Sequence, residues 1–301
     1  MSCAPGTVTP CHGGGRSLDA MATSAGVVLS GGRSSRMGVP KAMLDWHGST
    51  LLRHVVGLVA RGVDGPVVVV RSPGQQLPAL PSSVRVLDDP HEGRGPLQGL
   101  AVGLAALADQ AHGAFVCSTD LPFLQPAFVR RVMGALTGDV EVVLPHAHGF
   151  RQPLAAAYAT SLTPVAAALV ADGVPAPKPL LDRSRTVVLD DAALLLDLAL
   201  RAADPHLRSV ENLNDHAAYD AARAEPAPAV VVQRYGVLAS GGHSGSRIVQ
   251  AATVGQAAAQ VGLVLDRYVL AAVNGDQTSR DPHVPLVAGD VVAFLSADAG
   301  G

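Results

Sequence analysis

Cysteine is scarce in this chain and forms no pattern. Cys3, Cys11 and Cys117 make an odd count without a Cys-x-x-Cys pair, which argues against both a disulfide framework and a structural zinc site. Cys11-His12 lies in a Gly-rich stretch and gives little reason for a metal, while Cys117 falls in an apolar run and reads as an inert core residue. Long apolar runs are lacking as well. Ala, Val and Leu are spread through the chain, and the richest stretch, Ala192 to Ala203, is interrupted by Asp197 and Arg201. Nothing approaches the roughly 20 residues needed to span a bilayer. No basic region followed by an apolar one opens the chain, so no signal peptide is read and the expected location is cytoplasmic, with no membrane partner. Nor does one sign of charge dominate: 22 Lys and Arg against 25 Asp and Glu leave a net charge of −3. That balance provides no electrostatic footprint for nucleic acid, and an anionic ligand must be met by local positive charge. Both common nucleotide fingerprints, the P-loop and Gly-x-Gly-x-x-Gly, are missing. So is any Ser-His-Asp or Cys-His arrangement.

What is present is an alternation. Residues 1 to 22 are rich in Gly, Ser, Pro and Ala without apolar periodicity, and such a stretch is expected to be a disordered tail. Met21 stands just ahead of the first apolar run and is a candidate start; an intact mass that includes Cys3 would end that idea. From Ala25 onward, short β-branched runs alternate with longer Ala/Leu segments, the pattern of a parallel sheet covered by helices. Strands are expected at 26–30, 67–71, 84–88, 114–118 and 140–144, and helices near 50–61, 97–108, 126–136 and 161–171. At 301 residues, about two domains are expected. Ligands of such sheets gather at the carboxyl ends of the strands.

The first strand end runs Leu29-Ser30-Gly31-Gly32-Arg33-Ser34-Ser35-Arg36-Met37-Gly38-Val39-Pro40-Lys41. Gly31, Gly32 and Gly38 let the backbone approach a polyanion, and successive amides, Arg36 and Lys41 face its charge. That outlines a phosphate site, with an ordinary basic loop as the plainer alternative. After the third strand, Asp88-Asp89-Pro90 reads by itself as a solvated turn, and Gly93 to Gly99 permits close approach to a flat ligand. Phe115 to Phe123 is an apolar strand ending in Asp120 and a Pro-containing turn. One carboxylate at a sheet edge can hold Mg²⁺, although capping the next turn is the structural alternative. Arg151 and Gln152 precede Pro153-Leu154, and Asn212 and Asn214, two apart on an extended segment, point the same way. A turn or helix-cap role for either asparagine stays open, with Asp215 capping the Ala-rich helix that follows.

These motifs together resemble the MobA-like nucleotidyltransferases, above all the molybdenum cofactor guanylyltransferases. Leu29-Ser30-Gly31-Gly32, Arg36-Met37-Gly38 and Lys41 match that family's first loop except at Ser30, where a small Ala is usual. Gly95-Pro96-Leu97-x-Gly99 recurs there at the nucleotide base, and Asp89 falls where the family places an acidic base-binding residue. Thr119-Asp120-Leu121-Pro122 is similar to its Cys-Asp-x-Pro motif, Pro153-Leu154-x-Ala156-x-Tyr158 to its Pro-Leu-x-Ala-x-Tyr strand, and Asn212-x-Asn214 to its closing motif near the metal. The resemblance covers residues 23–224 and implies a Rossmann-like, three-layer α/β domain with a mainly parallel sheet. It implies nucleotide binding by Leu29, Ser30, Gly31, Gly32, Lys41, Asp89, Gly95, Pro96, Leu97 and Asp120. Catalysis falls to Arg36, Lys41 and Asp120, with Mg²⁺ on Asp120; Arg151, Gln152, Asn212 and Asn214 face the second substrate. The implied reaction moves GMP from GTP to the molybdenum-molybdopterin cofactor and releases pyrophosphate. Cytidylyltransferases acting on the same cofactor, and sugar or phospholactate nucleotidyltransferases, are the near alternatives.

Ala224 to Ala229 reads as a short stiff linker, placed at 225–229. Beyond it the pattern changes. Val230 to Tyr235 reads as a strand, Arg247 to Val249 as a second, and Thr253 opens a small helix. Val269 to Val273 then runs into an Asn274-Gly275 turn, and Pro285 to Phe294 follows. With the final Gly300-Gly301, residues 230–301 resemble the small sulfur-carrier subunit of molybdopterin synthase, a MoaD/ThiS-type ubiquitin-like β-grasp protein. That resemblance implies a thiocarboxylate at the terminal glycine, an adenylating and sulfurylating activating enzyme as partner, and docking on the large subunit of molybdopterin synthase. A chain acting chiefly as a sulfur carrier, with the larger domain as scaffold, is the competing reading.

Overall fold

The computed structural model describes residues 22–31, 40–91, 93–239, 245–276 and 278–296. Expectations that fall on the first 21 residues, Gly32, Arg36, Gly38, Gly300 and Gly301 lie outside these. The chain opens with β1 (Ala22–Leu29), a hairpin of β2 (Asp45–Trp46) and β3 (Ser49–Thr50), α1 (Leu51–Ala60), β4 (Val67–Arg71) and β5 (Arg85–Asp88). There follow α2 (Pro96–Leu107), β6 (Ala111–Ser118), α3 (Pro126–Gly134), β7 (Val142–Ala147), β8 (Phe150–Arg151) and β9 (Ala155–Ala159). This part closes with α4 (Thr163–Ala171), α5 (Lys178–Leu181), β10 (Thr186–Asp190), α6 (Asp191–Leu194), α7 (Leu198–Ala203) and α8 (His216–Ala224).

Eight of these strands form one sheet in the order β10-β7-β9-β6-β1-β4-β5, with β8 paired to β7. β1 is parallel to both β4 and β6, β4 to β5, and β10 to β7, whereas β9 runs antiparallel between β6 and β7. Side chains alternate across a strand, so one buried on both faces supplies two cores. Val28 packs with α1 and α3 on one face, and Val27 and Leu29 pack with α2 and α4 on the other. Gly103 of α2 lies so close to β1 that an added Cβ would sit 2.5 Å from Val27 Cγ1. The result is a three-layer α/β architecture with a mainly parallel sheet.

The expected elements are found with shifted ends. β1 begins at Ala22 rather than 26, β6 at Ala111 rather than 114, and β7 spans Val142–Ala147 rather than 140–144. β10 was not foreseen. It is an edge strand whose short Val187-Val188-Leu189 run buries Leu189 and leaves Val187 and Val188 exposed.

After α8 the chain enters a second sheet of β11 (Ala229–Arg234), β12 (Ser246–Gln250), β13 (Val269–Val273), β14 (Thr278–Ser279) and β15 (Val291–Ser296). The order is β12-β11-β15-β13-β14, with β11 and β15 parallel and the other pairs antiparallel. One helix, α9 (Val254–Gln260), packs on it around Phe294, Val292 and Val230. Thr253 caps α9 by accepting from Gln256 N, and Asn274 (φ 57°) and Gly275 (φ 80°) make the left-handed turn after β13.

The two sheets meet at α1. Arg53, Gly57 and Arg61, spaced four apart and therefore on one helix face, all touch the second sheet's loops. Arg61 donates to both oxygens of Asp290 at 2.7 and 2.8 Å, and to Pro285 O at 2.9 Å. Arg53 forks onto Asp281 at 2.8 and 2.9 Å. Between them Gly57 is closed over by Pro285, whose Cδ lies 2.4 Å from where a Cβ would stand. Among the described residues, no helix is long and apolar enough to cross a membrane.

Candidate active site

The carboxyl ends of β1, β4, β5 and β6 open on one edge of the large sheet, and there a cavity of about 840 Å³ lies. Leu29, Ser30, Gly31, Lys41, Asp89, Gly95, Pro96, Asp120, Arg151, Gln152, Asn212 and Asn214 all line it. Leu97 does not: it is fully buried beneath the loop, in the core between α2 and the sheet. Gly32 and Arg36 fall outside the described residues.

Each wall is fixed by backbone pairing. Ser30 N donates to Val70 O at 2.8 Å, carrying the first loop out beside β4. Gly31 is tight against that neighbour, since an added Cβ would meet Ser72 Oγ at 3.1 Å. Gln75 closes the corner, its Nε2 donating to Ser30 O at 3.0 Å while its Oε1 accepts from Ser72 N at 3.0 Å. Asp88 and Asp89 part company here. Asp88 Oδ1 accepts from Arg71 Nε at 2.7 Å, whereas Asp89, anchored by its N–H to Arg71 O at 2.7 Å, turns to the cavity. Gly95 must be glycine: its φ is +89°, and a Cβ would sit 2.4 Å from Pro175 O.

At the centre stands Asp120. Its Oδ2 accepts from Lys41 Nζ at 3.0 Å and its Oδ1 from the Ser118 hydroxyl. Lys41 Nζ also donates to Leu213 O at 2.6 Å, and Leu213 N donates to Asp120 O at 3.0 Å. Three segments far apart in sequence are thus knotted at one point, which places Asn212 and Asn214 beside the carboxylate on the cavity wall. Behind Asp120 the turn is rigid. Thr119 is buried and its hydroxyl donates to Leu29 O at 3.1 Å, and Pro122 O receives a 2.9 Å hydrogen bond from buried His54. Burial lowers the His54 pKa to about 4, so the ring is neutral and its Nε2–H is the donor. Burial, then nearby Asp120, raise the Cys117 thiol well above its usual range, which keeps it protonated and inert.

On the opposite wall, Gln152 N donates to Pro145 O at 2.8 Å, and the buried Tyr158 hydroxyl donates to Pro153 O at 2.8 Å. These bonds hold Arg151 and Gln152 at the cavity edge. Asp215 accepts from Ala218 N at 2.8 Å and so caps α8.

Sequence reading passed over Arg71, Ser72 and Gln75 and gave Ser118 no role of its own, although all four line the cavity; it also gave none to Gln98, which lies behind the wall and touches Asp89. Arg71, Ser72 and Gln75 stand outside the motifs with Gly spacing or a strand-ending acid, whereas Ser118 lies two residues before the strand-ending Asp120 and Gln98 is the variable position of Gly95-Pro96-Leu97-x-Gly99, a lone polar residue in an apolar helix start. The arrangement can do one kind of chemistry well. Lys41, Arg71 and Arg151 bring local positive charge to a net-acidic chain, and hard oxygen donors cluster at Asp120. Among the described residues no cluster of three or more His, Cys, Asp or Glu exists, so a cation here would lean on one carboxylate and on ligand oxygens.

Residues 26–187 match the family model of the MobA-like NTP transferase domain. A protein of Mycobacterium ulcerans (strain Agy99) named "Probable molybdenum cofactor guanylyltransferase" is 42% identical over 197 residues, 64% of this chain and 96% of its own length. One of the same name from Mycobacterium avium (strain 104) is 38% identical, covering 59% of this chain and 91% of its own. The crystal structure of molybdopterin-guanine dinucleotide biosynthesis protein A from Archaeoglobus fulgidus superposes with a TM-score of 0.52 at 21% identity, over 67% of this chain and 97% of that one. That likeness is one of fold.

Proposed function

This chain belongs to the MobA-like NTP transferase family, and from that premise we propose that it moves GMP from GTP to the molybdenum-molybdopterin cofactor. A phosphate oxygen of that cofactor attacks the α-phosphorus of GTP, the bond from that phosphorus to the bridging oxygen breaks, and pyrophosphate leaves. The attacking phosphate is already ionised near neutral pH, so no general base is needed. The work left to the protein is positioning and charge stabilisation. The observation that carries the reading is the convergence of Lys41, Asp120 and the 212–214 segment on one cavity edge.

Lys41, with Arg36 and the amides of the first loop, holds the departing pyrophosphate. Asp89 accepts from guanine N1–H and N2–H, which adenine does not offer in that pattern. Arg151, Gln152, Asn212 and Asn214 meet the second substrate. Mg²⁺ fits the donor set: it is typically held by one or two carboxylates plus substrate phosphates, and Asp120 supplies such a carboxylate, flanked by the asparagine amides. When bound, it supplies charge neutralisation on the phosphates. Lys41 must then exchange its Asp120 partner for phosphate oxygens. The deciding experiment measures pyrophosphate release by the purified protein with each nucleotide. Release with GTP supports the reading, and release with CTP but not GTP reverses it in favour of cytidylyl transfer.

For the second sheet we propose a MoaD/ThiS-type sulfur carrier in the same pathway. Its support is topological: a five-stranded order with a parallel central pair and one covering helix is the β-grasp plan. On this reading the activating enzyme adenylates and sulfurylates Gly301, and the large subunit of molybdopterin synthase receives the sulfur. Mass spectrometry after co-expression with the activating enzyme reads this directly. A gain equal to sulfur replacing oxygen at Gly301 supports it; an unmodified Gly301 removes it.

A further inference from the structure

Gln98 is the third residue of α2, after Gly95 at the cap and Pro96 and Leu97. Only 2% of it is exposed, which is unusual for glutamine and costly unless its polar atoms are paired. Its amide nitrogen is fully used: Nε2 donates to Asp89 Oδ1 and, at 2.9 Å, to His91 O. Its Oε1, also buried, has no partner among the described residues. Burying a carbonyl oxygen unpaired is unfavourable, so packing alone gives no reason for glutamine here. What the side chain accomplishes is to grip Asp89. Oδ1 of Asp89 accepts from both Gln98 Nε2 and His91 N, the latter at 3.1 Å. Among the described residues nothing donates to Oδ2, and Asp89 lines the cavity.

We propose that Gln98 is the positioning residue for base selectivity, locking the Asp89 carboxylate so that Oδ2 is held out to the incoming base. This rests on the reading of Asp89 as the guanine acceptor. Gln98 itself touches no ligand, since Gly95, Pro96 and Gly99 line the cavity around it and it does not. Without the amide grip a single donor, His91 N, remains on Oδ1, so the carboxylate rotates more freely about its own side-chain bond and a base donor finds a less fixed acceptor. The exocyclic amine of guanine feels that loss most, and inosine, which lacks the amine, feels it least.

The test is calorimetric binding of GTP and ITP to the full chain, wild type and Gln98→Met. Methionine has nearly the shape of glutamine and removes the unpaired oxygen, so the thermal midpoint should hold or rise. The expected result is a wild-type preference for GTP over ITP of about tenfold that collapses towards unity in Q98M. A merely structural Gln98 would lower the midpoint and leave the ratio alone. A wild-type preference retained in well-folded Q98M overturns the proposal while leaving the guanine reading intact. Equal wild-type affinity for GTP, ITP and CTP overturns the guanine reading itself. Should Q98M not fold, Gln98→Asn, too short to reach Asp89 and His91 O together, reads the same ratio.

Discussion

Asp120 follows β6 at the cavity of the large sheet, and Asp290 precedes β15 where the small sheet meets α1. Both are aspartates paired with a cation, yet they differ in what is left over. Asp290, 3% exposed, accepts from Arg61 and Asn274 on Oδ1 and from Arg61 and Val287 N on Oδ2. Asp120 keeps about a fifth of its side chain exposed and, among the described residues, accepts only from Lys41 and the Ser118 hydroxyl. A carboxylate whose lone pairs are all engaged has nothing to offer a ligand, whereas one with spare capacity beside a cavity does. α1 connects the two regions. Its Arg53-Gly57-Arg61 face carries the small sheet, while His54 reaches the turn after Asp120.

The contrast can be broken most forcefully at Lys41. Lys41→Ala should lower kcat by roughly 100- to 1,000-fold with a much smaller change in nucleotide affinity, measured by pyrophosphate release and by calorimetry. Unchanged turnover would strip the pair of its catalytic meaning. Arg61→Ala should do the reverse. It leaves Asp290 buried without its cation and costs roughly 3 kcal/mol in chemical denaturation, while GTP affinity stays as in the wild type. A shift in affinity instead of stability would erase the distinction between the two aspartates.

His54 sharpens the comparison through pH. Its folded pKa of about 4 lies below the ordinary 6.5, so the unfolded chain binds the extra proton first as pH falls. Stability from this group is complete above about 6.5 and declines towards pH 4, by up to roughly 3 kcal/mol. Denaturation midpoints of wild type and His54→Gln across that window measure it, and a parallel pH dependence in the two would remove His54 as the cause. The smallest effect is expected at Gly57. Gly57→Ala gains about 1 kcal/mol of helix propensity but forces Pro285 away, for a net loss of about 1 kcal/mol, read as a lowered midpoint with turnover intact.

Much of the large sheet was legible because buried parallel strands are solid apolar runs: Val67–Val70 and Phe115–Cys117 could be little else. β10 escaped although it has the short run Val187-Val188-Leu189, because at the sheet edge its valines stay exposed and the Ala/Leu-rich stretch that follows reads as helix. The antiparallel course of β9 escaped too, since direction in a sheet leaves no mark on composition. Of the cavity, the glycines and strand-ending acids announced themselves. Gln75 did not, and Ser118 and Gln98 stood in suggestive stretches without a role, because the importance of all three lies in which atom they touch across 45, 2 and 9 residues of chain.

By itself, the sequence determined the alternation of strand and helix, the ends of strands at which polar residues gather, and the change of character after Ala224, because periodicity and turn chemistry are local properties. Tertiary structure alone decided that Lys41, Asp120 and Leu213 share one point, that Asp88 turns away to Arg71, and that Asp290 serves as a clamp. Those outcomes depend on register and on contacts between distant segments, and a hydrogen bond is defined by distance in space, which the order of residues along the chain does not encode.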